Sequence, residues 1–315
     1  MRDVAAKPEM TRASRTREFQ PRYILAFEGY RTEVDYFRCV AENRHIVGAS
    51  SPMDITVLQR EEVDAGCSDP VAIVEAVKRN IDAMAQGCHT VDTVCEIARN
   101  SAWTVAGITR ADPMMAIIDA ELRERLGTVA DHNGAISSTE KAQEICESAI
   151  RDVTGKDVDF SLPEPPEFIP GLDSVCIIID RDRDSHSARS IDKFVSGCRK
   201  YGFRPFITNP CFEFWLMLHF EESIAVDRDM LLKNEMTDGK RFTETELDRI
   251  VNGVNPEHRY SKDSMDPFMF IHRIGLAVEN SRMYCTDVKC LKGNVGTNLG
   301  LLYEDMMGVG GHRFF

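Results

Sequence analysis

Two rhythms of apolar and polar positions run along the chain. Tyr23 to Phe27 is an unbroken apolar and aromatic run closed by Glu28-Gly29, the pattern of a buried strand opening into a turn. From Thr32 onward Val34, Phe37, Cys39, Val40 and Ala41 recur at near-helical spacing, which predicts a helix with Thr32 as its N-cap. Ile55 to Leu58 predicts a second strand, and Asp69-Pro70 the N-cap and first position of a helix striped by Ile73, Val74, Val77, Ile81 and Met84. Ser174 to Ile179 is apolar on both faces, as a central parallel strand is, and it runs into Asp180. A helix over 188–201, a strand over 204–207 and a helix through CFEFWLMLHF, with Asn209 as N-cap and Pro210 first, come next. Repeated strand–helix alternation predicts an α/β fold, a Rossmann-like parallel sheet flanked by helices.

The alternation is interrupted between about 88 and 170 by helical patterns at 114–126 and 139–153, the first opened by Asp112-Pro113, and by the tract PEPPEFIP. This predicts a helical insertion within a domain spanning 21–226, followed by a mostly helical C-terminal region over 227–315 with a further Asp-Pro start at Asp266-Pro267. The insertion holds fifteen acidic and seven basic residues, a poor surface for a polyanion. Residues 1–20 lack periodicity, and up to Arg22 the chain carries six basic side chains against three acidic ones. That is a flexible basic arm, either a solubilising tail or a phosphate-contacting one.

Composition narrows the class. With 315 residues, 43% apolar and 28% charged, the chain is an ordinary globular protein. Its longest apolar runs fall far short of the roughly 20 residues of a membrane span, and the charged start MRDVAAKPEM has no signal-peptide core, so a cytoplasmic protein without membrane contact is expected. The ten cysteines are scattered without a Cys-x-x-Cys pair, which predicts mostly reduced, buried thiols and no structural zinc. The net charge of −13 argues against coating nucleic acid by charge alone.

The candidate chemistry lies where strands end, because ligands of open parallel sheets sit at the carboxyl ends of strands. Glu28 follows the first strand, and Asp180, Asp182 and Asp184 leave the central one as DRDRDS. In an extended chain these three aspartates, at period two, point the same way and gather a hard divalent cation, Mg²⁺ with Mn²⁺ as a substitute. A calcium loop starting at Asp180 fails, because Ser185 and Ile191 stand where Gly and Glu are required. Arg183 weakens an aspartyl-phosphate phosphatase reading. Arg181, Arg183, Arg189 and Lys193 offer a local positive rim. On the helical wheel Glu213 falls with Met217 and Phe220, an odd place for a charge unless it meets a metal or a cation, while His219 shares the apolar face of Phe212.

A strand ending in Glu-Gly, paired with a later strand ending in Asp-x-Asp, resembles the Toprim catalytic domain of topoisomerases, primases and overcoming-lysogenization-defect nucleases, and more narrowly the three motifs EGYRTEVDYF, IIDRDRDS and NPCFEFWLMLHF, in that order, resemble the RloB family of bacterial proteins. The long acidic insertion departs from the family pattern, and the C-terminal part resembles it only in GNVGTNLGLL. The resemblance implies a Toprim-like, metal-dependent nuclease acting on DNA or RNA, a toxic effector of anti-phage defence controlled by an ABC- or AAA-type ATPase partner, with a homodimer as one assembly. It further implies Glu28 as general base or acid and metal contact, Asp180 and Asp182 as metal ligands, and Asp184 and Glu33 as additional ones. Glu213, Arg181, Arg183 and His219 are supporting candidates. A non-catalytic adaptor of the same fold, and a nucleotidyl transferase or phosphatase acting on a small phosphate compound, remain as alternatives.

Overall fold

The computed structural model describes residues 22–29, 31–49, 53–55, 70–107, 113–165, 168–184, 186–262 and 265–308. The chain runs β1 (Tyr23–Phe27), α1 (Thr32–Glu42), β2 (Met53–Ile55), α2 (Pro70–Ala85), β3 (His89–Thr90), α3 (Val91–Ala106), α4 (Pro113–Gly127), β4 (Ala135–Ile136) and α5 (Thr139–Thr154). It continues through β5 (Ser174–Asp180), α6 (Ala188–Tyr201), β6 (Arg204–Asn209), α7 (Phe212–Met217), a 3₁₀ turn (Glu221–Ala225), α8 (Arg228–Lys233), β7 (Met236–Thr237) and β8 (Lys240–Arg241). The last elements are α9 (Phe242–Val254), α10 (Phe268–Ile271), α11 (Ile274–Ser281), α12 (Val288–Leu291), β9 (Gly296–Thr297) and α13 (Leu299–Met306).

Five strands form one sheet in the order β2-β1-β5-β6-β9. The first four are mutually parallel and β9 runs antiparallel to β6. The fold is thus the α/β, Rossmann-like arrangement that the alternation predicts. Strand alternation sorts side chains onto two faces. Leu25, Phe27, Cys176, Ile178 and Phe206 enter one core together with α1, α7, α9, α11 and α13. Ile24, Ala26, Val175, Ile177, Ile179 and Ile207 enter the other, against α2, α6 and Leu291. Both faces are covered, which is why β1 and β5 read as continuous apolar runs. Each fully buried Phe or Trp, such as Phe37, Phe194 and Trp215, contributes on the order of 2–3 kcal/mol by leaving water.

Residues of 89–162 pack around a third core of Val94, Ala98, Ile118, Leu122, Ala149, Ile150 and Phe160. This helical unit is fastened to α2 by hydrogen bonds from the Thr90 and Thr93 hydroxyls to Asn80. The region beyond 226 contributes helices to the first core, and its β9 extends the sheet.

Local expectations differ from the structure in three places. Thr32 is the first helical residue rather than the N-cap; Arg31 precedes it without a side-chain cap. Asn209 ends β6 and caps nothing: its amide donates to the Leu291 carbonyl (2.7 Å), the Asn209–Pro210 peptide is cis, and the helix starts at Phe212 after Cys211. The second strand is Met53–Ile55, while 56–58 lie outside the described residues. The basic arm over 1–20 lies outside them too. Among the described cysteines Cys39, Cys95, Cys146, Cys176, Cys198 and Cys211 are buried thiols, and Cys285 is joined to Cys290. No helix among the described residues is long and apolar enough to cross a membrane.

Candidate active site

The site begins where β1 and β5 end side by side. Phe27 pairs with Ile178, and the Glu28 N–H continues the ladder to the Ile178 carbonyl (3.1 Å), so Glu28 and Asp180 leave adjacent strands at the same height. The Asp180 N–H points at Glu28 Oε2 (3.4 Å). One turn on, α1 starts and sends the Glu33 carboxylate back against Gly29, where it fills the space that a Cβ on residue 29 would take. Only glycine lets that carboxylate come so close. β6, next to β5, leads through Cys211 into α7, which delivers Glu213 and a Phe212 N–H that hydrogen-bonds the Asp180 carboxylate.

Four carboxylates therefore share one end of the sheet. Burial, and after it the charges of Glu33, Glu213 and Glu28, push the Asp180 carboxyl well above the usual carboxylate range, the Phe212 N–H offsetting part of this. Burial pushes Glu33 up to about 7; its own backbone N–H and Lys262 pull it down, while Glu213 and Glu28 push it further up. Glu213 is 3% exposed and meets the Lys262 ammonium at 3.0 Å and the Tyr260 hydroxyl, which donates at 3.2 Å. Lys262 is held more firmly protonated by Glu213 and, less directly, by Asp180, against the opposing cost of its burial. The odd charge on the apolar face of α7 thus meets a cation.

The chain does not stay extended beyond Asp180, and this corrects the period-two expectation. The His186 N–H closes a turn onto the Asp182 carbonyl (2.8 Å), and the Asp184 N–H onto Asp182 Oδ1 (3.1 Å). Asp184 is turned outward, its side chain 71% exposed and bonded to Arg241 at 2.8 Å. Asp182 stands 3.6 Å from the same guanidinium. Arg181 is no part of a positive rim: it is buried and gives its donors to the carbonyls of Lys292 (3.1 Å) and His186. Arg183 is exposed and donates to the Gly293 carbonyl at 3.2 Å. His219 lies in the core away from the acids, with Tyr36 Oη at 2.9 Å from Nε2 and Nδ1 donating to the Trp215 carbonyl, and burial drives its pKa down to about 3. It is a structural histidine.

Sequence reasoning missed His186, Tyr260, Lys262 and Arg241. His186 had a signal, as a histidine two residues beyond an Asp-x-Asp-x-Asp run at a strand exit. The other three lie 24 to 45 residues beyond α7, and carried none.

The donor set is made of carboxylate oxygens, the kind that Mg²⁺ and Mn²⁺ take. As the side chains stand, no group of three His, Cys, Asp or Glu among the described residues closes around a single point. The acids repel one another electrostatically without converging, and Lys262 supplies positive charge beside them. Mg²⁺ keeps several waters and needs only one or two protein carboxylates, so this donor set suits it in kind.

No curated protein and no solved structure matches the chain. A family model described as RloB-like protein matches residues 23–306, a span that takes in the strand exits bearing Glu28 and Asp180, the helical insertion and the C-terminal helices alike. By that match over nearly its whole length, the chain belongs to the RloB-like family.

Proposed function

We propose that the protein is a metal-dependent nuclease hydrolysing phosphodiester bonds of DNA or RNA. The observation that carries this reading is the gathering of Glu28, Glu33, Asp180 and Glu213 at one end of the sheet, with Asp180 and Glu33 holding their protons unusually tightly. A cluster of acids at a strand exit with raised proton affinity is a functional-site signature, because nothing in packing alone rewards it. The resemblance of EGYRTEVDYF and IIDRDRDS to Toprim motifs supports the same chemistry.

In this reading Glu28, Glu33 and Asp180 would be the oxygen donors for Mg²⁺ or Mn²⁺, with Asp182 on the turn beyond them as a further ligand. When bound, such an ion neutralises charge on the phosphoryl oxygens and eases ionisation of a water. Glu28, 15% exposed, takes the proton of the attacking water on its carboxylate and returns one to the leaving oxygen. Lys262 compensates Glu213. Arg183, exposed on the loop after β5, faces the approach of a polyanion. Asp184, engaged by Arg241, supports the loop rather than the ion. From the family resemblance the enzyme acts in the cytoplasm as a toxic effector of anti-phage defence, restrained or triggered by an ABC- or AAA-type ATPase.

A second reading, a non-catalytic adaptor that binds nucleic acid or the ATPase, is favoured by the absence of a closed ligand shell among the described residues. The deciding experiment incubates wild type and Asp180→Ala with plasmid DNA and with total RNA, in Mg²⁺, in Mn²⁺ and in EDTA, with and without a candidate ABC- or AAA-type ATPase partner. Metal-dependent cleavage by wild type alone establishes the nuclease and its substrate class. Silence under every condition, with ATPase binding retained by both proteins, replaces it with the adaptor.

A further inference from the structure

One buried polar side chain has no task in this chemistry. His186 is 1% exposed on a loop whose neighbours Arg183, Asp184 and Ser187 face solvent. Its Nε2 lies 3.0 Å from both Glu28 Oε1 and Glu28 Oε2. Among the described residues its buried Nδ1 has no hydrogen-bond partner. Its backbone is clamped at both ends of the residue: the N–H donates to the Asp182 carbonyl at 2.8 Å, and its carbonyl accepts from Arg181, whose Nε is anchored on the Lys292 carbonyl at 3.1 Å.

This arrangement fixes the tautomer. Placed at equal distance from both oxygens of one carboxylate, whose oxygens are acceptors, Nε2 is positioned as the donor. The unpartnered Nδ1 is then a bare lone pair, a milder burial cost than a stranded N–H. The donated hydrogen is shared between the two oxygens, which sets the orientation of the Glu28 carboxylate, while the Asp180 N–H adds a weaker contact on Oε2. Arg181, buried where a substrate-facing arginine was expected, acts one step further back by holding the His186 carbonyl.

We infer that His186 is the positioning residue of this site, donating Nε2–H to the Glu28 carboxylate so that Glu28 meets metal and water in one fixed orientation. It acts through Glu28 and touches neither substrate nor metal. The inference rests on the nuclease reading, and its test contains readouts that do not need cleavage. Losing such a supporting partner costs about 10–100-fold in metal affinity or activity.

In ¹⁵N-histidine spectra of the whole protein, His186, assigned by its disappearance in His186→Gln, shows a proton on Nε2, and its resonances move in Glu28→Gln. A His186 protonated on Nδ1, or one indifferent to Glu28→Gln, overturns the inference. In calorimetric Mn²⁺ titrations His186→Phe, which keeps the ring volume but not the donor, binds at least about tenfold more weakly. His186→Gln, whose amide N–H reaches the same region, restores most of the affinity. Equal Mn²⁺ affinity in wild type and His186→Phe, or equal losses in the Phe and Gln variants of a folded protein, refutes positioning. Where cleavage is measurable, the His186→Phe loss falls on kcat with KM for the polynucleotide little changed. A wild type that binds no Mn²⁺ and cleaves nothing defeats the nuclease reading and with it the positioning role, and leaves the spectra to judge the His186–Glu28 pair alone.

Discussion

Lys262 is the counter-charge of the acid cluster, and removing it has a computable consequence. Its ammonium is 3.0 Å from Glu213 Oε1, and the Glu213 side chain is 5% exposed while that of Lys262 is 52% exposed. At that separation an effective dielectric of about 20 gives roughly 5 kcal/mol of attraction. Solvent around the half-exposed lysine screens more than half of it, leaving about 2 kcal/mol. Lys262→Met keeps the aliphatic length and strands the Glu213 carboxylate beside Asp180 and Glu33. Urea denaturation in EDTA near neutral pH is expected to show a loss of about 2 kcal/mol. In a Glu213→Gln background the same substitution is nearly neutral, so the double-mutant cycle returns a coupling of similar size. If the acids bind Mg²⁺ as proposed, millimolar Mg²⁺ is expected to stabilise Lys262→Met more than wild type, because the ion would supply the charge that the lysine no longer does. A Lys262→Met protein as stable as wild type, with zero coupling to Glu213, would show that the lysine is not the counter-charge.

Further expectations concern the site and the core. His219 is neutral when folded, with a pKa near 3 against an ordinary 6.5, so the unfolded chain binds the extra proton and stability is lost as pH falls from 6.5 towards 3. The loss is on the order of 4 kcal/mol in total, and His219→Gln flattens the acid limb of the stability profile; parallel curves contradict the assignment. The raised carboxyls of Glu33 and Asp180 act in the opposite sense, their contribution fading as pH rises, and cancel in the comparison because both proteins carry them. Gly29→Ala places a Cβ on the Glu33 carboxylate, whose flexible end swings away cheaply. The expected result is a melting temperature within a few degrees of wild type and cleavage reduced at least about tenfold, with wild-type cleavage refuting a role for Glu33. Asp184→Ala removes an exposed ion pair with Arg241, costs less than about 1 kcal/mol and leaves cleavage within a few-fold, whereas Asp180→Ala abolishes cleavage; equal losses would restore the three-aspartate reading.

The sheet was legible because its strands are buried on both faces. β1 and β5 read as continuous apolar runs for that reason, and α2 beside them showed its stripe and its start at Pro70, while Asp69 lies outside the described residues. Glu28 and Asp180 were legible together since they terminate such runs, and parallel neighbours in a sheet end at the same edge. The path of the chain beyond a strand end was not legible. Whether Asp182 and Asp184 stay beside Asp180 depends on the turn closed by the His186 N–H and on Arg241, 57 residues beyond Asp184. Asn209 has the residue type of an N-cap, yet the Leu291 carbonyl, 82 residues away, takes its amide. In each case a long-range partner overrides a local propensity.

If the chain acts on a polyanion, its net charge of −13 must be offset locally, and the distribution of its ion pairs bears on where. In the helical insertion the basic residues are largely committed within the unit: Arg99 to Asp119, Arg123 to Asp92 and Asp119, Arg125 to Glu121 and Asp152, and Arg151 to Asp157. Arg99–Asp119 and Arg123–Asp92 tie α3 to α4 and Arg125–Asp152 ties α4 to α5, while the acids remain in excess, a charge balance unfavourable to a polyanion. Repulsion between exposed charges is screened beyond about 8 Å at physiological salt, so the local charge at the strand exits decides binding. There the loop after β5 and the first turns of α6 present Arg183, Arg189 and Lys193 to solvent, with Arg241 behind them on β8. On the nuclease reading that loop is where a phosphate would meet positive charge, because Arg241 pairs with Asp184 and stands close to Asp182 there.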